Sequence, residues 1–171
     1  EISVPSGMLP SAVLYPRGIG AADGAAWNAV TRGLTTVAMQ RIRDGLFTVR
    51  ATVGGVEMPA LVDTGAAFSC VNKASGVKVD SSIPEMFVAG ADGNPTAMGV
   101  AGIAHDIVVH SDAGTDAASV SLQGVTMLVG DLPAFALLGI PPGKPALILG
   151  MDALKTRPKM VLSTVTAKMA I

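Results

Sequence analysis

Pro59-Ala60-Leu61-Val62-Asp63-Thr64-Gly65-Ala66 runs on into Ala67-Phe68-Ser69-Cys70-Val71. An apolar run leads into an aspartate, a glycine-bearing turn follows, and apolar chain resumes. The run predicts a buried strand with Asp63 at its end. A carboxylate in such a place costs free energy unless it has a task or a partner. Glycine at position 65 allows a tight turn there. Taken alone, Asp-Thr-Gly is also ordinary material for a strand-ending turn, so the flanking chain has to decide.

Upstream, residues 34–42 and 46–53 read as strands joined around Asp44-Gly45, a strong hairpin signal. Gly54-Gly55 makes a second turn, and residues 56–62 form the third strand of a meander. Downstream, 83–89 reads as a strand and Gly90-Ala91-Asp92-Gly93-Asn94-Pro95 as a dense turn cluster. Residues 96–110 follow as one long strand, bent at Gly99 or Gly102. A polar loop spans 111–118, and 119–130 is strand-like with a turn at Gly124. Residues 131–144 form a connection punctuated by Pro and Gly, and 146–149 a short apolar strand. One or two helical turns are expected over 151–156, with Asp152 as their cap, and closing strands over 161–171. The sum is an all-β barrel or sandwich with short helices.

Residues 1–23, rich in Gly, Pro and Ala and without a period, read as an extended arm lying on a partner. A short helix is expected over 24–32, capped by Asp23, with Trp27 and Val30 on one face. The domain division is therefore an N-terminal arm over 1–33 and a folded domain over 34–171. There is no internal repeat and no second Asp-Thr-Gly.

Half of the 171 residues are hydrophobic and only 4% are aromatic, so the core is built from aliphatic residues and methionine. The formal net charge is −1, which gives neither an electrostatic footprint for nucleic acid nor a basic membrane-binding face. No apolar run approaches the roughly 20 residues of a membrane span. The mean hydropathy, +0.53, points to surface buried in an oligomer or a larger assembly. The single cysteine, Cys70, excludes an intrachain disulfide and reads as a buried, inert thiol. His105 and His110 lack the Cys and acidic spacing of a metal site, so neither metal nor other cofactor is expected. Gly18 to Gly24 has no phosphate-loop or dinucleotide-binding spacing. The chain starts at Glu1, which reads as a processed chain, exported or organellar, or a trimmed one; the compartment stays open.

A second element stands in order behind the first: Ile148-Leu149-Gly150, continued by Met151-Asp152-Ala153-Leu154. Asp63-Thr64-Gly65-Ala66 together with this pair resembles the retropepsin-like aspartic proteases, over roughly residues 34–171. The resemblance implies a closed β-barrel with a flap hairpin and one short C-terminal helix. It implies that Asp63 is the catalytic carboxylate, that Thr64 braces the turn across a two-fold axis, and that Gly65 keeps backbone close to the carboxylates. It places the 90–95 turn as the flap, so Gly90, Ala91, Asp92 and Gly93, with Ala66, become the substrate-binding residues. A solvated hairpin with no such task fits the same turn.

Peptide hydrolysis by this chemistry needs water activated between two carboxylates that share one proton, since like charges so close cannot both ionise. The chain carries one motif, so the resemblance implies a homodimer that contributes Asp63 twice, or one half of a longer two-lobed enzyme whose other lobe supplies the second carboxylate. Two functions follow. One is an aspartic endopeptidase acting on a peptide or protein substrate. The other is a non-catalytic retropepsin-fold subunit or binding module of a larger assembly, an organellar one included, favoured by the hydropathy, the arm and a flap that lacks tyrosine.

Overall fold

The computed structural model describes residues 11–15, 24–42, 45–89, 93–111, 119–141 and 143–171. The first elements among the described residues are strand β1 (Ser11–Tyr15) and helix α1 (Gly24–Val30), followed by β2 (Thr36–Ala38) and β3 (Gln40–Arg41). The expected helix is thus present, and Trp27 on it is buried against Val161 and Ala170. Asp23, its expected cap, lies outside the described residues, as does Asp44.

Next come β4 (Phe47–Val53) and β5 (Val56–Val62), paired antiparallel from Thr48↔Leu61 to Val53↔Val56. Phe47, Val49, Ala51 and Val53 alternate into the core while Arg50 faces out, the period-2 pattern of a half-buried strand. The turn between them places both Gly54 and Gly55 at positive φ, 56° and 83°, as a two-residue primed hairpin turn requires.

Beyond the Asp63 turn lie β6 (Cys70–Val71), a single 3-10 turn over 73–75, β7 (Met86–Ala89), β8 (Pro95–Val100), β9 (His105–His110), β10 (Ser119–Val125) and β11 (Leu128–Val129). The long strand expected over 96–110 is two strands. The chain breaks at 101–104, where Ala101 bridges to Val79 and Gly102 passes so close to Asp80 that a Cβ would sit 3.0 Å from that side chain. The break sends β8 to pair with β11 and β9 to pair with β4. Helix α2 (Pro133–Leu137), β12 (Leu147–Leu149), α3 (Met151–Leu154), β13 (Lys159–Ser163) and β14 (Lys168–Ala170) complete the order. The region 131–144, expected as a bare connection, therefore holds a helix, and among the described residues α3 is one of three α-helices rather than the sole one.

The sheets are not closed into a barrel, contrary to expectation. The larger sheet follows the open path β10-β9-β4-β5-β12-β6-β11-β8-β7, with β3 attached to β4. Closure would require β10 to meet β7, and these two strands are the opposite ends of that path. The terminal strands form a second sheet, β1-β13-β14-β2, in which β1 runs parallel to β13 of the same chain.

At the centre β5 and β12 run parallel, Ala60↔Leu147 to Val62↔Leu149. Met58, Ala60, Leu147 and Leu149 enter one core cluster, while Leu61 and Ile148 enter a second on the other face. Burial on both faces explains why these stretches are continuous apolar runs without alternation. No helix among the described residues is long and apolar enough to cross a membrane.

Candidate active site

Asp63 is the first residue past β5, and the parallel pairing to β12 holds it in place: its N–H donates to Leu149 O at 3.1 Å. The carboxylate turns back on its own loop. Asp63 Oδ1 accepts the Gly65 N–H at 2.9 Å and the Ala66 N–H at 3.2 Å. Two N–H donors on one oxygen repay part of the desolvation of a half-buried carboxylate. Asp63 Oδ2 takes no hydrogen bond among the described residues. The loop thus fixes the group through one oxygen and leaves the other for chemistry. A Cβ at Gly65 would stand 3.2 Å from Oδ1, so glycine is what lets the backbone sit this close. Thr64 is exposed at the crest of the turn, and Ala66 is half-buried against the second core cluster.

The second motif has its own steric cause. Gly150 follows β12, and a Cβ there would lie 2.6 Å from both the carbonyl carbon and oxygen of Phe68. Only glycine allows the strand after the Asp63 turn to cross at this point. The crossing is stitched by Met151 N–H to Ala66 O at 2.8 Å and Asp152 N–H to Ala67 O at 3.2 Å.

Asp152 is not the N-cap residue of α3, although its carboxylate does accept a first-turn N–H of that helix. The cap position is Gly150, with no side-chain cap bond, and Asp152 sits in the first turn. Its Oδ1 accepts the Ser69 hydroxyl and the Ala153 N–H, both at 2.7 Å. Ser69 is wholly buried and went unremarked in the sequence. A hydroxyl between Phe68 and Cys70 in an apolar strand was its signal, because a buried hydroxyl demands a partner.

Cys70 is buried, and burial pushes its thiol up to about 12, with the negative charges of Asp152 and Asp63 adding to the shift. It is a neutral, inert group beside the turn. His110 Nε2 lies 2.7 Å from Thr52 Oγ1 within the sheet. No group of three or more His, Cys, Asp or Glu that could hold a metal ion is found among the described residues.

Gly90, Ala91 and Asp92 lie outside the described residues. The strands that carry them form a hairpin, Met86↔Met98 to Ala89↔Pro95, with Gly93 at φ 72°. Phe87 on this hairpin is 73% exposed. A cleft of about 630 Å³ runs between the Gly54 turn and residues 75–81, and another of about 510 Å³ between α2 and residues 72–74. Neither is lined by Asp63, Thr64 or Gly65. Concavity within one chain therefore points away from the turn.

The architecture is that of a mostly β fold similar to the retropepsin-like aspartic proteases. The crystal structure of one such protease, from Rickettsia conorii, aligns with 80% of this chain and 90% of its own, at a TM-score of 0.50 and 18% identity. That identity carries the fold alone. No protein-family model and no curated protein matches the chain.

Proposed function

We propose that this chain is an aspartic endopeptidase whose active site forms when two copies bring their Asp63 turns together. The observation that carries the reading is the half-buried Asp63 carboxylate, held through Oδ1 by its own loop with Oδ2 unengaged. In the dimer one Asp63 is ionised and takes a proton from water while the other, protonated, donates to the scissile carbonyl oxygen. The water oxygen bonds to the carbonyl carbon, and the tetrahedral intermediate collapses as its C–N bond breaks, the Asp63 that took the water proton passing it to the leaving nitrogen while the other recovers a proton from the gem-diol. Thr64, exposed at the crest of each turn, is assigned the brace between copies. Gly90 to Gly93 and Ala66 are assigned to contact substrate, the hairpin closing over the peptide. The chemistry calls for no metal or cofactor. Likeness in fold to the Rickettsia conorii protease supports the same reading.

Asp63→Asn keeps the loop acceptor and removes the ionisable group. Cleavage of a peptide library is expected to fall by about a thousandfold or more, with the melting temperature within about 3 °C of the parent. Equal cleavage by the Asn variant would refute the mechanism.

A second reading, a non-catalytic subunit of a larger assembly, is favoured by one observation. β14 is flanked on both sides by strands of its own chain, β13 and β2, so it offers a second copy no unpaired edge. This reading predicts one copy per particle.

A further inference from the structure

The segment 63–69 is fastened to 149–153 at three places. Backbone bonds join Asp63 to Leu149, and Ala66 and Ala67 to Met151 and Asp152. The third tie is made by side chains: Ser69 Oγ accepts the Gly150 N–H at 3.0 Å and donates to Asp152 Oδ1 at 2.7 Å. Ser69 is one of the few polar residues the core buries completely. Apolar packing would be served as well by alanine, yet a hydroxyl is kept there and fully used. Asp152 Oδ1 closes the tie while also accepting the Ala153 N–H in the first turn of α3. We infer that Ser69 and Asp152 are positioning residues for Asp63, their hydrogen bond holding the strand that leaves the turn against the Gly150 crossing. This rests on the reading of Asp63 as the catalytic carboxylate. The tie needs an acceptor at Oδ1, which an amide oxygen supplies as well as a carboxylate does.

The test compares Ser69→Ala, Ser69→Thr, Asp152→Ala and Asp152→Asn in the full chain. Two readouts are taken: kcat and KM on a peptide that the parent cleaves, and amide hydrogen exchange at Asp63 and Met151. Both alanine variants are expected to lower kcat about tenfold or more with KM within about twofold, as a small misplacement of a reacting group does. Ser69→Thr and Asp152→Asn are expected to restore most of it. Exchange at Asp63 and Met151 should quicken about tenfold or more in the alanine variants while Val49 and Ala51 in β4 stay protected, the mark of a local opening. Unchanged exchange at Asp63 and Met151, equal loosening in β4, or an Asn variant as impaired as the alanine one would overturn the inference. A parent that cleaves nothing would refute the enzyme reading alone, since the exchange measurement still decides the positioning.

Discussion

Two glycines near Asp63 are required for different reasons, and substitution separates them. At Gly150 an added Cβ meets backbone of Phe68 and Ser69 within 2.9 Å, and backbone cannot swing aside as a side chain can. Gly150→Ala is expected to destabilise the fold by about 3 kcal/mol, read from chemical denaturation. At Gly65 the clash is milder, 3.2 Å to Asp63 Oδ1, and falls on the carboxylate. Gly65→Ala should lose cleavage out of proportion to stability. Cys70 gives a pH signature. Its thiol is raised from 9.0 to about 12 in the fold, so below pH 9 it is neutral in both states and favours neither. Between those values the unfolded chain ionises and the folded one does not, and stability falls with slope up to about 1.4 kcal/mol per pH unit. Denaturation from pH 8 to 11 should show a steeper loss in the parent than in Cys70→Ala. Equal slopes would contradict the burial assigned to the thiol. The sequence exposed Asp63, Gly65 and Gly150 through their types and order. Ser69 was harder to see, since its partner lies 83 positions away and no local period links them.

At the scale of elements, the meander was readable because each signal was local: the paired glycines at 54 and 55, the alternation in β4, the apolar run of β5. Helix α2 escaped because Pro133, at its first turn, was read with its neighbours as loop punctuation, although proline is well suited to a helix start. The two-residue strands β6 and β11 lie in stretches that read as apolar or strand-like, but their partnership was hidden. Their pairing is parallel and long-range, Leu128↔Cys70 and Val129↔Val71, and no window of chain records it. The β7–β8 hairpin projects Phe87 into solvent, which costs exposure without adding to the core. Phe87→Ser should therefore leave stability within about 0.5 kcal/mol while raising KM for peptide if the hairpin is the flap. A stability loss several times larger, or an unchanged KM, would contradict that assignment.

For the whole molecule, the order of strands was the least legible level. The expected strand over 96–110 divides at 101–104, where Val79 bridges Ala101 and Asp80 lies against Gly102, and the two resulting strands pair in different parts of the open sheet. A second long-range tie was equally hidden: Thr35, just before β2, and Ile171, just after β14, exchange both backbone bonds at 3.0 Å. What the sequence carried from the start was the count, one Asp-Thr-Gly where the chemistry uses two carboxylates. The central claim is therefore that a second copy completes the site. The most direct measurement is cleavage by a fixed amount of parent chain titrated with Asp63→Asn chain, after exchange of subunits. Mixed dimers hold one ionisable Asp63, so activity is expected to decline toward zero as the variant reaches about tenfold excess. Activity that stays at its starting value throughout the titration, or a parent that is inert at every concentration, would contradict the account.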